Sequence, residues 1–273
     1  MPTPRFTAKI EAEAPTPRLA VLIDADNAQA VIIENLLLEI ASLGEATVKR
    51  IYGDFTDTYS ASWKKVLQKF AIKPVQQFAY TVGKNATDCS LIIDAMDLLY
   101  TGTFDGFCLV SSDSDFTGLA MRLREGGLKV YGFGEKKTPE AFRSACHKFT
   151  FTEILRPHTQ DMPLIEQDCQ AQADTPDSLQ PPTTPASTSP NNTDLPKELL
   201  LKALEQSVGE DKWVTLSEFG SYLNKVKSDF DSRNYGFKKL SDLVKGAKDI
   251  FVVEERPVSG SDQRIIYIRS KKR

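Results

Sequence analysis

Aspartates follow two apolar segments of this chain, and their positions indicate a shared acidic site. Asp24 comes directly after the apolar segment 19–23, and Asp113 and Asp115 follow a second apolar segment, 107–110, after two serines. Both segments are continuous apolar runs, as expected for strands that are buried on both faces of a sheet. Because the carboxyl ends of parallel strands meet at one edge of a sheet, where ligands bind, we expect these side chains to lie close together.

A further carboxylate, Asp88, lies near the start of a helix predicted for residues 87–100. Successive helical residues turn by about 100°, which places Asp88 on the apolar stripe that packs against the sheet and turns Asp94 and Asp97 toward solvent. A carboxylate at the buried end of such a stripe is costly unless it has a partner. The alternative is that Asp88 only stabilises the first helical turn, where an anion is favourable.

Asp24, Asp88 and Asp113 are therefore expected to converge, with Asp26, Asn27 and Asp115 close by. Oxygen ligands without histidine or cysteine are typical of Mg²⁺ or Mn²⁺ sites. Carboxylates that lie this close repel one another, and a divalent cation relieves the repulsion. Because such an ion lowers the pKa of bound water and stabilises charge on a phosphate, the set predicts metal-dependent phosphodiester hydrolysis.

The composition narrows the class of protein. A length of 273 residues favours two domains. No apolar run approaches the roughly 18 residues of a membrane span, and the N-terminus has no apolar core typical of a secretory signal. The four cysteines lie far apart without a CxxC pair, which argues against a zinc knuckle or a disulfide framework. These features predict a cytoplasmic protein with no membrane partner.

Residues 19–156 predict an α/β domain. Strands alternate with helices, so a parallel sheet with right-handed crossovers and helices on both faces is expected. The predicted strands are 19–23, 46–52, 73–78, 107–110 and 128–133, and the predicted helices after the first are 61–70, 87–100, 116–125 and 138–148. Among the aromatic residues of this region, Tyr52 and Trp63 are expected in the core rather than on a base-stacking surface.

The remaining chain divides into three segments. Residues 1–18 are expected to be disordered, and the Pro-, Thr- and Ser-rich residues 157–196 are expected to form a flexible linker. Residues 197–269 predict a small winged helix-turn-helix domain. Its predicted helices are 197–207, 217–226 with Ser217 as N-cap, and 237–247, and its predicted strands are 250–254 and 264–268.

The first domain resembles the NYN domain, a branch of the PIN-like ribonucleases, over residues 18–156. The matching segments are 22–27, 85–88, 93–96, 111–116, 127–132 and 138–143. The resemblance implies a PIN-like fold and a Mg²⁺- or Mn²⁺-dependent ribonuclease site. It further implies Asp24, Asp88 and Asp113 as metal ligands, with Asn27 and Asp115 as neighbours in the catalytic site. Asp26 stands where the family usually has a small residue.

The C-terminal domain is similar to the LOTUS domain, also called OST-HTH, at residues 235–244 and 251–253. This resemblance implies association with RNA. Residues 194–273 carry 16 Lys and Arg against 13 Asp and Glu, a balance that is compatible with nucleic acid. The predicted phosphate-contacting residues are Lys238, Lys239, Lys245 and Lys248 of this domain, and Lys84 and Ser111 of the first. Winged helices also bind proteins, so a protein partner stays open.

The sequence thus predicts a divalent-metal-dependent ribonuclease with a C-terminal RNA-binding module. One alternative is an RNA-binding adaptor whose acidic site is weak or inactive. Another is a haloacid-dehalogenase-like phosphatase, because Asp24-x-Asp26 resembles the nucleophile motif of that family, although Ala28 stands where it has Thr or Val. The substrate RNA, the choice of metal, endo or exo cleavage and the oligomeric state are not indicated by the sequence.

Overall fold

The structure is a computed structural model that describes residues 15–56, 61–78, 86–157, 195–207, 213–257 and 264–271. The chain forms two compact units. Most of the predicted N-terminal segment 1–18 and of the linker 157–196 lies outside the described residues. Lys84 also lies outside them. Within the described residues, no helix is both long enough and apolar enough to cross a membrane.

The N-terminal unit is built on a six-stranded sheet with the strand order β3-β2-β1-β4-β5-β6. The first five strands pair in parallel with their neighbours. The strands are β1 Arg18–Asp24, β2 Glu45–Gly53, β3 Lys73–Gln76, β4 Gly106–Val110, β5 Lys129–Gly134 and β6 Lys148–Phe151. The helices are α1 Ile33–Ala41, α2 Ala61–Phe70, α3 Ala86–Tyr100, α4 Thr117–Glu125 and α5 Glu140–Ala145.

The strand order reverses between β1 and β4. From β1 the chain proceeds outward to β2 and β3, and it then returns to β4 on the other side of β1. With right-handed crossovers, this reversal places α1 and α2 on one face of the sheet and α3 and α4 on the other. The predicted PIN-like α/β fold is confirmed. A crevice is expected beyond the carboxyl ends of β1 and β4, where the connections diverge.

The two central strands form the core of this unit. Every residue of β1 after Arg18 and every residue of β4 is buried, as their continuous apolar sequences predict. Helix α3 packs on β1 and β2 and buries Leu91, Ala95 and Leu98. Tyr52 and Trp63 are buried, as predicted. The sheet and α3 therefore fix the positions of the residues at the carboxyl edge.

The end of this unit differs from the prediction of a helix over 138–148. Helix α5 ends at Ala145, because Cys146 adopts an extended backbone conformation. Residues Lys148–Phe151 then form β6, a strand that the sequence analysis missed. Its sequence KFTF carries aromatic and β-branched residues, which favour strands. Elsewhere the differences are small: β3 ends at Gln76, and a 3₁₀ turn, Ser114–Phe116, precedes α4.

In its described residues the C-terminal unit contains three α-helices and a three-stranded antiparallel sheet with the strand order β7-β9-β8. Its core is formed by aliphatic and aromatic residues of the helices packed against the apolar side of the sheet. The elements are α6 Lys197–Ser207, β7 Val214–Thr215, α7 Leu216–Val226, α8 Leu240–Gly246, β8 Phe251–Pro257 and β9 Arg264–Ser270. This arrangement agrees with the predicted small domain.

Two predicted features of the C-terminal unit are corrected. The N-cap of α7 is Thr215 rather than Ser217, and Thr215 and Glu218 form a reciprocal capping box. Helix α8 spans Leu240–Gly246 instead of 237–247. The residues before α8 are not helical because Gly236, with φ 84°, ends a 3₁₀ turn in the left-handed conformation.

Candidate metal centre

Asp24 ends β1 and is completely buried, with 0% relative exposure. Its Oδ2 atom accepts hydrogen bonds from Asn27 Nδ2 and Ser111 Oγ, each at 2.8 Å, and its Oδ1 atom accepts the backbone N–H of Asp26 at 3.0 Å. Burial raises the pKa of the Asp24 carboxyl, and the bonds from Ser111 and Asn27 act in the opposite direction. Asp24 is therefore a buried acid that three hydrogen bonds hold in place at the carboxyl end of β1.

The turn that contains Asp24 is held against the end of β2. The backbone N–H of Ala25 donates to the carbonyl oxygen of Tyr52 at 2.9 Å. A Cβ atom on Gly53 would lie only 2.8 Å from the Cβ of Ala25, so this close approach requires glycine. The carboxyl end of β2 therefore holds the turn after Asp24 close to the sheet.

Two buried serines shape the turn after β4. The Oγ atom of Ser111 donates to Asp24 and accepts the backbone N–H of Asp113 at 3.1 Å. The Oγ atom of Ser112 accepts the backbone N–H of Glu135 at 2.9 Å. Ser111 was predicted to contact RNA, but the structure buries its hydroxyl between the ends of β1 and β4. In this position Ser111 holds the two carboxylate-bearing turns together.

Asp113 caps the 3₁₀ turn that leads into α4. It has an extended backbone conformation, and its Oδ1 atom accepts the backbone N–H of Asp115 at 2.9 Å. The following residue, Phe116, is buried and anchors this turn in the core. Asp113 is half-buried and Asp115 is exposed. Local capping thus places the carboxylates of Asp113 and Asp115 beside each other after the carboxyl end of β4.

Asp88 of α3 comes together with Asp113 and Asp115 of the turn after β4. One carboxylate oxygen of each lies within 4.8 Å of those of the other two. Asp88 lies in the first turn of α3 and is half-buried. Burial, followed by the charges of Asp24, Asp113, Asp115 and Asp26, raises the pKa of Asp88 to about 6. We call these three residues the acidic group.

The acidic group differs from the predicted ligand set in one member. Asp24, Asp88 and Asp113 were the expected ligands, whereas the oxygens that meet in the structure belong to Asp88, Asp113 and Asp115. Asp24 contributes its charge to the pKa of Asp88 from a buried position. Asp26 is exposed and also acts through its charge. Asn27 donates to Asp24, and the assignment of ligands stays a prediction.

Asp94 connects α3 to β2, and its predicted exposure to solvent is wrong. Asp94 was expected to face solvent, but it pairs with Arg50 and accepts a hydrogen bond from the hydroxyl of buried Tyr52. Burial and the neighbouring Asp94 carboxylate raise the pKa of Tyr52. The signal was present in β2, where Arg50 and Tyr52 are two apart and point to the same face. Asp97, by contrast, is exposed as predicted.

The donor set of the acidic group fits a divalent cation. It consists of carboxylates only, and Mg²⁺ and Mn²⁺ prefer such oxygen ligands. Burial first, and then the charges of the neighbouring carboxylates, raise the pKa of Asp88, and a cation would offset the repulsion between these charges. Among the residues that the structure describes, no other set of three His, Cys, Asp or Glu side chains meets in this way.

The predicted RNA-contacting lysines of the C-terminal unit lie on and beside α8. Lys238, Lys239, Lys245 and Lys248 are all exposed. The Nζ atom of Lys245 forms an ion pair with Glu255 at 2.7 Å. Exposure is compatible with phosphate contacts, but exposed lysines commonly serve solubility alone.

The six-stranded sheet with helices on both faces is of the PIN-like class of α/β folds. The family model of the NYN domain matches residues 18–155, and that of the OST-HTH/LOTUS domain matches residues 192–261. The chain belongs to the NYN domain family, and both predicted resemblances are confirmed.

Solved structures of similar proteins do not name an activity. The chain is 48% identical to an uncharacterised protein of Nitrosomonas europaea solved by NMR, over 36% of this chain and 93% of that chain, with a TM-score of 0.29. A protein of unknown function from Vibrio parahaemolyticus is 19% identical over 49% and 91%, with a TM-score of 0.42. A Chromobacterium violaceum fragment is 30% identical over 30% and 88%, with a TM-score of 0.24. No curated protein matches the chain.

Proposed function

We propose that this protein is a divalent-metal-dependent ribonuclease that hydrolyses phosphodiester bonds in RNA. The observation that carries the proposal is the acidic group, whose carboxylate oxygens lie within 4.8 Å of one another beside buried Asp24. Membership of the NYN family supplies the nuclease class. The OST-HTH/LOTUS domain supplies the RNA-binding module.

In this proposal several carboxylates together would coordinate Mg²⁺ or Mn²⁺. Asp88, Asp113 and Asp115 offer the oxygens that meet. Asp24 has one acceptor position left, because three of the roughly four lone-pair positions of a carboxylate are used by its hydrogen bonds. It can therefore complete the predicted ligand set through Oδ1. An ion held there would lower the pKa of bound water and neutralise charge on the phosphate.

The other residues of the site act on geometry and charge. Ser111 and Asn27 donate to the same oxygen of Asp24, which favours its charged form despite its burial. The Ser111 bond also fixes the distance between the β1 and β4 turns. Burial and the neighbouring carboxylates raise the pKa of Asp88 to about 6. Without a cation, Asp88 would take up a proton as the pH falls toward 6.

The domain organisation is part of the proposal. Residues 19–156 form the nuclease domain, 157–196 a linker and 197–269 the RNA-binding domain, with 1–18 as an N-terminal extension. Lys84 and the α8 lysines are proposed phosphate contacts. A cytoplasmic location, where RNA substrates are present, is proposed with it.

The phosphatase alternative loses its support from the position of Asp24. A nucleophilic aspartate must present an oxygen to the substrate. Asp24 has 0% exposure, and both of its carboxylate oxygens accept hydrogen bonds. In this proposal Asp24 therefore belongs to the ligand set and does not attack the substrate.

Cleavage of a labelled single-stranded RNA by the purified full chain tests the proposal. We expect cleavage with Mg²⁺ or Mn²⁺ and none with EDTA. Asp113→Asn should lower the rate at least a hundredfold while RNA affinity changes little, because the residue would hold the metal ion and not the RNA. Asp97→Asn, an exposed residue of α3, is the matched control and should cleave normally. RNA that is bound but left intact by the wild type in every metal would favour the adaptor alternative.

A further inference from the structure

The outer side of the C-terminal sheet carries an alternating series of guanidinium groups and aromatic rings. The Cζ atom of Arg269 lies 4.8 Å from the ring centroid of Trp213, and that of Arg256 lies 5.2 Å from the same ring. Arg256 also lies 4.5 Å from the ring centroid of Tyr267. We call these four residues the cation–aromatic face.

The strand register explains why these side chains share one side of the sheet. Side chains alternate along a strand, so the core residues Val253 of β8 and Ile268 of β9 point inward. Their neighbours along the strands point outward, and Glu254 pairs with Tyr267 while Val252 pairs with Arg269. Trp213 immediately precedes β7, which pairs with β9. The cation–aromatic face is thus the side opposite the core.

The side chains of this face are exposed or half-exposed among the residues that the structure describes. Arg256 retains 43% of its side-chain exposure, Arg269 is exposed, and Trp213 and Tyr267 are half-exposed. Rings that only support a fold are usually buried, as Phe219 and Phe251 are on the core side. Exposed rings interleaved with guanidinium groups match the surfaces on which single-stranded nucleic acids stack their bases.

Glu254 lies beside the cation–aromatic face and affects which ligand the face can bind. Arg256 donates to Glu254 through Nε at 3.0 Å and through Nη2 at 3.3 Å. This two-pronged contact orients the guanidinium group, and it uses the edge that a phosphate would otherwise take. Glu254 therefore both positions Arg256 and competes with an incoming anion for it.

We propose that the cation–aromatic face binds single-stranded RNA, with bases stacked on Trp213 and Tyr267 and phosphates paired with Arg256 and Arg269. The inference rests on the proposed RNA binding by the C-terminal unit. It places the principal contact on the outer sheet side rather than on the α8 lysines, of which Lys245 already pairs with Glu255. Aromatic stacking accepts every base, so little sequence preference is expected from this face.

Binding of two matched strands by the full chain in EDTA tests the inference. One is a 12-nucleotide single-stranded RNA of mixed sequence, and the other is the same backbone with abasic positions. Trp213→Leu, which keeps an apolar side chain but removes the ring, should weaken binding of the first strand about tenfold or more. It should change binding of the abasic strand little, because that strand cannot stack. Fluorescence anisotropy of the labelled strands measures both.

Further variants separate this surface from a structural role. Glu254→Gln removes the competing carboxylate and should tighten RNA binding about threefold with a steeper salt dependence. The double variant Lys238→Ala/Lys239→Ala is the control for the lysine surface and should weaken binding less than Trp213→Leu. Unfolding transitions of all variants should match that of the wild type. Arg269→Gln, at an exposed position, repeats the test if Trp213→Leu unfolds.

The outcomes distinguish this inference from the function on which it rests. If the wild type binds RNA and both Trp213→Leu and Arg269→Gln bind it equally well, the cation–aromatic face is overturned while RNA binding stands. Equal loss for the intact and abasic strands would also overturn stacking. If the wild type binds no RNA, the proposed RNA-binding module fails together with this inference, and the face would belong to a protein partner.

Discussion

The chemistry of the candidate metal centre depends on how closely a few carboxylates are packed. The effect of this packing is seen at Asp88, where burial and then the acidic neighbours raise the pKa to about 6. Two of those neighbours are held in place by capping and by the Ser111 hydroxyl, so they cannot simply move apart. The apo protein therefore retains electrostatic repulsion that a bound cation removes.

Removal of the Asp88 charge should stabilise the protein when no metal is present. Asp88→Asn keeps the size of the side chain, and we expect its free energy of unfolding in EDTA at pH 7.5 to rise by about 1 kcal/mol after solvent screening. Because the folded-state pKa of about 6 lies above the ordinary value of 3.8, the folded state binds the extra proton. The wild type should therefore regain this stability as the pH falls from above 6 toward 4.

Urea denaturation of both proteins between pH 7.5 and 4 measures this difference. The gap between mutant and wild type should be largest at pH 7.5 and should close toward pH 4. A mutant that is less stable than the wild type at pH 7.5 would indicate that Asp88 only stabilises the start of α3. In that case Asp88 would not belong to the site.

Ser111 offers a second test at the same scale. Ser111→Ala removes a hydrogen bond from buried Asp24 and should cost about 1–3 kcal/mol of unfolding free energy. It should also raise the pKa of Asp24, because Ser111 lowers that pKa in the wild type. Ser112→Ala is the matched control, since the Ser112 hydroxyl bonds Glu135 instead. Thermal unfolding of the two variants measures the difference in their stability. Equal destabilisation of both variants would count against a specific role for Ser111.

Among the elements, α3 connects the sheet to the acidic group. Its apolar side packs on β1 and β2, and Asp94 fixes it sideways through Arg50 and Tyr52. Asp88 lies in the first turn of the same helix. A shift of α3 along the sheet would therefore separate Asp88 from Asp113 and Asp115.

Asp94→Ala should loosen α3 and destabilise the protein by about 1–3 kcal/mol, because Tyr52 and Arg50 lose their partner inside the unit. Asp97→Ala, on the same helix but exposed, should change stability by no more than about 0.5 kcal/mol. Denaturant unfolding of both variants provides the measurement. Similar values for the two would show that the Asp94 contacts contribute little.

Much of the architecture follows from local sequence signals. Continuous apolar runs predicted β1 and β4 because strands buried on both faces need them. Strand β6 was missed because it is only four residues long and begins soon after α5 ends. Four residues are too few for an alternating apolar pattern to be recognised. The N-cap of α7 was readable as Thr215-x-x-Glu218, a capping box.

The candidate site was predictable only in part, and the reason is tertiary geometry. The sequence places Asp24, Asp88 and Asp113 at one edge of the sheet, because strand ends and helix starts meet there. It cannot give the distance of each oxygen from the others, which decides that Asp115 joins the acidic group. Likewise, Asp94 pairs with a residue 44 positions away, and helical periodicity carries no information on such a contact.

At the scale of the whole molecule, the proposal combines a catalytic unit with a separate RNA-binding unit. The 40-residue stretch from 157 to 196 is rich in Pro, Thr and Ser and has few large apolar side chains, a composition typical of linkers. Tethering raises the effective concentration of RNA near the acidic group without any new contact. The advantage should therefore depend on the length of the RNA.

Deletion of residues 194–273 should weaken binding of long RNA and leave metal-dependent hydrolysis of short substrates in place. The physical reason is that only a long strand can contact both units at once. Affinity and single-turnover cleavage, each measured with a short and a long strand, test this. Unchanged affinity for long RNA after the deletion would point to a protein-binding role for the C-terminal unit.

The most direct test of the central claim is to follow Mn²⁺ binding and RNA cleavage in the same titration. Free Mn²⁺ is measured by electron paramagnetic resonance while single-turnover cleavage is recorded at each concentration. The account predicts that both curves rise at the same Mn²⁺ concentration and that Asp88→Asn shifts both by about tenfold or more. Cleavage that proceeds in EDTA, or Mn²⁺ binding that is unaltered in Asp88→Asn, would contradict it.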